Sequence, residues 1–358
     1  MKSAVWARTL LGLVVSAALL ALVLVRTDLD ATLDALGDAE FGYLLPAIAL
    51  LAASVWFQAL RWRYLLRPLV DVPARRLYPV VFVGHLGNSL VPLRAGEVLR
   101  ALVISRREGV SRMAALGTLV VERALDGLAL TALLLVFAAA VDSSDRLWQL
   151  VLAGAVLFGL ATAALVLAAL NQERCLSLIV IAIDRGPARW RASLRRWARS
   201  FLTGTTALGT STGMAVVLLT TAGFWLSVAL VYAIVGQAFD IEEGLGTYLF
   251  VTAAANLSVS IPSSQGGLGP FEFFVRETLV FSGVGAPLAT AYALVLHATI
   301  LATMIIMGLI SLRTIGLSLD LLSGRVAADD DAEEDLSSLL DREQKHLPTE
   351  EQVKRRRQ

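Results

Sequence analysis

Six stretches of this chain stay apolar for about twenty residues, the length a helix needs to cross a bilayer core about 30 Å thick. They fall at roughly 6–26, 41–60, 113–141, 147–170, 214–235 and 287–312. Lipid offers the backbone no hydrogen-bond partners, so each such run must satisfy its own N–H and C=O groups as a helix. Composition agrees: 56% of the 358 residues are hydrophobic, 17% are charged and the mean hydropathy is +0.69. The expected class is therefore all-α, a polytopic membrane helix bundle. The run from Leu10 to Val25 follows Lys2 and Arg8 and resembles a secretory signal. No small-residue cleavage site precedes the acidic stretch 27–40, so a retained first span is the expectation.

The formal net charge of +1 conceals a segregation. Arg61, Arg63, Arg67, Arg75 and Arg76 follow the second run, and Arg100, Arg106, Arg107 and Arg112 precede the third. Arg174, Arg185, Arg189, Arg191, Arg195, Arg196 and Arg199 lie between the fourth and fifth. The alternate loops are acidic: Asp28, Asp30, Asp34, Asp38 and Glu40, then Asp240, Glu242 and Glu243. Basic loops stay in the cytoplasm, which predicts an inner-membrane protein with both termini cytoplasmic. Within 174–200, Trp190 and Trp197 share a helical face among arginines. That pattern fits a helix resting on anionic headgroups, or equally an ordinary basic loop. Residues 319–358, with the acidic run 329–335 and Lys354 to Arg357, read as a charged, disordered cytoplasmic tail beyond a membrane domain of residues 1–318.

Two segments, 79–107 and 247–283, have no full crossing left to make. Each breaks in the same way. The first runs from Asn88 through Pro92, Arg94 and Gly96 to Glu97; the second runs from Asn256 through Pro262, Gly266, Gly267, Gly269 and Pro270 to Glu272. Each then ends near a Gly-Val pair, Gly109-Val110 and Gly283-Val284. Pro and Gly interrupt helices, and matched interruptions in two halves of a membrane protein point to a transport site. Flanking charge makes the first segment enter from the cytoplasm and the second from outside. The prediction is six spans plus two re-entrant hairpins of opposite sense, an inverted pseudo-repeat; the alternative is that each arm crosses.

Ionisable residues at bilayer depth cost about 2.5–3.5 kcal/mol each on insertion scales. The third run nevertheless carries Glu122, Arg123 and Asp126, spaced to cluster on one helical face. Arg94, Glu97 and Arg100 lie just past the first break, and Glu272 with Arg276 forms an i,i+4 pair past the second. Asn88 and Asn256 suit capping of freed backbone more than ligand contact. Helix N-termini and arginines meeting near the midplane would suit an anionic group such as a lipid phosphate. The carboxylates could pair with those arginines, bind a cationic headgroup moiety or carry a proton.

Other chemistries find little support. The single cysteine, Cys175, excludes an internal disulfide, and three histidines, His85, His297 and His346, are too scattered for a metal site. His85 and His297 are placed to relay protons, with core packing the preferred reading for His297. The glycines at 266–269 lack the Lys-Ser/Thr of a phosphate loop, and His-Glu-x-x-His is absent. No cofactor and no nucleic-acid partner are expected.

The combination of Asn88 to Glu97 with Arg100, then Glu122-Arg123 with Asp126, then Ser260-Ile-Pro262 with Gly266-Gly267, Gly269 and Glu272 resembles the lysylphosphatidylglycerol synthase transmembrane-region family, or flippase-like domain proteins. The resemblance covers about residues 6–318 and implies an integral lipid translocase fold. It does not extend to a soluble aminoacyl-transfer domain, so synthase activity is not expected. Members of that family often carry an arginine in the last span, where this chain has His297. The expected function is movement of an anionic phospholipid or polyprenyl-phosphate-linked lipid between leaflets, without ATP, rather than enzymatic turnover. The rivals are a group-transfer enzyme on a lipid-linked substrate, and an accessory subunit that recruits a glycosyltransferase or synthase.

Overall fold

A computed structural model describes residues 2–90, 95–140, 166–185, 188–209, 211–258 and 265–317, with short helical pieces between 156 and 164. Every regular element among the described residues is a helix: α1 (Lys2–Val25), α2 (Leu29–Gly37), α3 (Leu44–Leu66), α4 (Ala74–Leu90), α5 (Gly96–Glu108) and α6 (Arg112–Ala140) come first. They are followed by α7 (Gln172–Asp184), α8 (Ala188–Thr203), α9 (Ser211–Gln237), α10 (Leu245–Ser258), α11 (Pro270–Phe281) and α12 (Ala286–Thr314). Pro92, Arg94, Pro262 and the tail expected over 319–358 lie outside the described residues, as does most of the span expected over 147–170.

By length and composition, three described helices can cross a membrane: Phe41–Leu66, Thr212–Gln237 and Ala286–Thr314. They coincide with the expected second, fifth and sixth spans. The 29-residue α6 occupies the expected third span but holds Glu122, Arg123 and Asp126. The apolar part of α1 is Gly12–Val23.

These helices approach closely where one contributes a glycine, the usual means of bringing backbones together without a hydrophobic drive between them. Gly223 of α9 faces the Phe57 ring of α3, and Gly308 of α12 faces Leu86 and the Phe82 carbonyl of α4. The α3–α9 and α4–α12 pairs are the most extensively packed in the bundle.

Each interrupted segment is a pair of packed helices, α4 with α5 and α10 with α11. Their ends correspond as well. Gly109 after α5 and Gly283 after α11 both adopt the left-handed region, at φ 68° and 104°. The two interruptions adjoin: the turn Gln265–Gly267 packs on α4, and a Cβ added to Gly266 would lie 3.8 Å from the Ser89 carbonyl oxygen.

The basic-loop placement of Arg61 is overturned. Arg61 was counted with the basic loop after the second span, but α3 continues to Leu66 and buries Arg61 completely. The buried face carries on through Trp62, Leu65 and Leu66, and acidic groups on α6 supply the partner a buried guanidinium requires. Arg63 in the last turn of α3, Arg67 just after it, and Arg75 and Arg76 in the first turn of α4 still make that end of the helix pair basic.

Candidate functional site: a charge network at the first break

Gly96 opens α5, and its N–H donates to Asn88 Oδ1 at 2.9 Å. The side chain at the end of α4 thus occupies the acceptor position left empty when the chain breaks, the capping role expected of Asn88. Only glycine fits at 96, because a Cβ there would collide with the Gly84 carbonyl and the Asn88 side chain. This tight α4–α5 contact aims the first turn of α5, including Glu97 and Arg100, at α6.

Arg100 is buried and clamps Glu122 with both terminal nitrogens, at 2.7 and 3.1 Å. Its guanidinium also lies over the Trp62 ring, 4.2 Å from the centroid, while Trp62 Nε1 donates to Thr118 Oγ1 at 3.0 Å. Arg61 makes the matching fork to Asp126, at 2.7 and 3.3 Å, and reaches Glu122 Oε1 at 3.4 Å. Thr221 accepts from Arg61 at 3.0 Å, and Trp225 Nε1 donates to Asp126 Oδ1 at 3.1 Å. Two guanidiniums therefore balance two carboxylates in fork geometry, the arrangement in which a buried ion pair best offsets its desolvation. Arg61 Nε and Arg100 Nε remain buried without an acceptor among the described residues.

Arg123 differs from these two. It bonds Glu122 Oε1 at 2.9 Å and Asp126 Oδ2 at 3.2 Å, acceptors already committed to the inner arginines. Its remaining partner, Glu97, lies 3.9 Å away and also receives Asn88 Nδ2 at 3.5 Å. The Arg123 side chain is 43% exposed and that of Glu97 22%. The network thus has a sealed interior and one guanidinium at its edge. Val120, a turn before Arg123, and Val98, next to Glu97, are exposed apolar neighbours.

The second break is held by other means. Glu272 Oε2 accepts the Gly269 N–H at 2.7 Å, and Glu272 Oε1 lies 2.7 Å from His297 Nδ1. Arg276 does not pair with Glu272 as their spacing had implied. It turns to the Thr27 and Thr290 hydroxyls at 3.2 Å each, the Arg26 carbonyl at 3.0 Å and the Glu277 carboxylate. Asn256 donates to Tyr232 and to the Thr252 carbonyl, within its own helix and to α9.

Of the residues singled out from sequence, Asn88, Glu97, Arg100, Glu122, Arg123 and Asp126 come together. Glu272 and Arg276 bind separate partners, and Arg94 is outside the described residues. Arg61, Thr221 and Trp225 are the members that sequence reasoning missed. Ser54, Gln58 and Arg61, at i, i+4 and i+7 in an apolar run, were the available signal.

The lysylphosphatidylglycerol synthase transmembrane region, as a family, matches residues 9–308, and so spans both breaks and the network. The chain belongs to that family. Among curated relatives, it is 27% identical over 340 residues to Glycosyltransferase AglD of Haloferax volcanii, covering 86% of this chain and 54% of the relative. It is 33% identical over 96 residues to a UPF0104 membrane protein of Methanothermobacter thermautotrophicus, covering 26% of this chain and 28% of that one. The chain thus spans about half the length of the first relative and less of the second. No solved structure matches. Membership in this family makes the chain a helical membrane protein.

Proposed function

We propose that this family member is a lipid translocase whose first break receives the headgroup of an anionic phospholipid or polyprenyl-phosphate-linked lipid. The observation that carries the reading is the contrast within the network. Arg61 and Arg100 are sealed against Glu122 and Asp126, whereas Arg123 stands at the edge with shared acceptors and 43% exposure. An arriving phosphate would give Arg123 the undivided acceptor it lacks, and would meet the α5 N-terminus beside it. The exposed Val98 and Val120 side chains present apolar surface to a tail next to that headgroup. Glu97, drawn toward Asn88 and Arg123, is placed to exchange partners as the phosphate enters and leaves.

The proposed setting is an inner membrane crossed six times, with both termini cytoplasmic and the two broken helix pairs as oppositely directed hairpins. No ATP-binding motif was found in the sequence, so movement would be downhill, by exchange or ion-coupled.

The reading is tested with purified protein in liposomes, following fluorescent phosphatidylglycerol and a labelled polyprenyl phosphate against protein-free liposomes. Protein-dependent exchange of one lipid with its mass unchanged supports translocation and identifies the headgroup class. A product of altered mass favours instead a group-transfer enzyme acting on a lipid-linked substrate, the reading that the name of the Haloferax volcanii relative supports.

A further inference from the structure

The second break contains an arrangement that the headgroup site does not use. His297, in the middle of α12, makes two ring contacts: Nδ1 lies 2.7 Å from Glu272 Oε1, and Nε2 lies 3.1 Å from the Gly266 carbonyl oxygen. A carbonyl can only accept, so Nε2 must carry a proton. A proton must also lie between Nδ1 and the carboxylate, because two bare lone pairs do not approach to that distance. A neutral imidazole supplies one proton, and the two contacts need two. We infer that Glu272 and His297 together form a binding site for one exchangeable proton, which latches the turn Gly266–Gly269 onto α12.

The charge balance gives the latch its force. With the proton bound, the pair is neutral overall, whichever of the two residues holds it. Both side chains are only 4% exposed. Removing the proton leaves a buried net negative charge and turns one of the two contacts into a lone-pair clash. The turn depends on both partners: the Gly266 carbonyl is held by His297 and the Gly269 N–H by Glu272. Its three glycines sit at φ 73°, 81° and 95°, so the turn is built from residues that can rearrange without side-chain strain. The one proton left on the imidazole is held more strongly by the ionised carboxylate at Nδ1 than by the carbonyl at Nε2, so loss of the exchangeable proton frees Gly266 from α12.

The charged and titratable groups on the surrounding elements have other partners. Arg276 and Glu277 on α11 bond one another, and Arg276 also holds Thr290. His85 on α4 bonds Gln58, Arg61 on α3 bonds Asp126, and Tyr232 on α9 receives Asn256. Tyr248 on α10 donates to the Ile241 carbonyl, and Asp30 and Asp34 on α2 are exposed. On its other side His297 stacks on the Phe271 ring at 4.2 Å, which fixes the imidazole in line with both acceptors. Gly266 adjoins Ser89, at the end of the helix that leads into the first break. A proton leaving the second break would thus loosen the backbone that touches the first, so the site supplies an ion to couple to lipid movement.

The test uses the full chain in nanodiscs with 15N-labelled histidine, the three histidines being assigned through H85N and H346N. In parallel, L268C in a C175S background reports the turn through maleimide labelling, Leu268 being 41% exposed beside the latch. Both are followed from about pH 3 to about pH 10, a range that brackets ordinary carboxylate and imidazole titration, with labelling normalised at each pH to free cysteine because the thiolate is the reacting form. At the acidic end His297 should have no bare ring nitrogen, or one only where Glu272 shows a protonated carboxyl. Loss of that proton should coincide with a rise of roughly tenfold in labelling, the effect of losing one charge-assisted hydrogen bond. H297R has a fixed cation and donors for both acceptors, and should keep labelling low and flat. A neutral His297 beside an ionised Glu272 throughout the range, or a labelling rate indifferent to the proton, would overturn the inference. None of these readouts follows lipid, so failure of the translocase reading is a separate result.

Discussion

The two breaks share a backbone plan and differ in what holds them. Both interrupt a helix pair with glycine, both satisfy a freed N–H with a side chain, and both second helices close near a left-handed glycine. At the first break Asn88 bonds the Gly96 N–H, and the carboxylates around it face arginines, which stay protonated. At the second break the N–H goes to Glu272, whose other oxygen faces a histidine. A fixed electrostatic field at one break and an exchangeable proton at the other divide the work between binding an anion and responding to an ion. A shared plan can thus be given different tasks by the side chain that caps the freed N–H and by the residue facing that cap.

Removing a sealed arginine is the severest way to break that comparison. R61L should leave Asp126 and part of Glu122 as uncompensated buried charge, a loss of about 3–5 kcal/mol that a detergent-solubilised thermal melt would show as failure to fold. R61K should recover only part of this, since an ammonium cannot reproduce the fork. G96A is next: its Cβ has no room between Gly84 and Asn88, and overpacking costs about 1–3 kcal/mol. The corresponding test at the second break, G269A, adds a collision with the Ser16 backbone to a strained φ of 95°, so its melt should fall at least as far. W225F removes one hydrogen bond to a charged acceptor and should lower stability by about 1.5–3 kcal/mol without disturbing the second break. N88A, which deletes the cap but leaves the charges, should cost about 1 kcal/mol. R123Q sharpens the comparison most, because a partly exposed ion pair contributes at most about 1 kcal/mol and its loss should leave the fold intact.

Sequence alone disclosed the spans at Phe41–Leu66, Thr212–Gln237 and Ala286–Thr314 because about twenty uninterrupted apolar residues admit one backbone solution in lipid. Glu122, Arg123 and Asp126 were legible for the same reason, standing out from their surroundings. Arg61 was not. It lies where an apolar run gives way to Arg63 and Arg67, and arginines at the end of a span ordinarily face water. Its burial depends on Asp126, 65 positions away, and no local pattern records that pairing. The Glu272–Arg276 spacing misled in the opposite direction. Helical periodicity places the two side chains near each other, but His297 on α12 and Thr27 beyond α1 provide better partners, and tertiary geometry prevails over spacing. Asn88 and Asn256 occupy matching sequence positions, yet among the described residues only Asn88 caps its break, while the Asn256 amide nitrogen bonds Tyr232 and the Thr252 carbonyl.

The division between sealed and edge arginines is the central claim, and lipid exchange by R123Q in liposomes tests it most directly. The account predicts exchange at the rate of protein-free liposomes while the thermal melt stays within the small shift expected of a partly exposed pair. Exchange as fast as that of the native chain would show that Arg123 receives no headgroup, and would contradict the account.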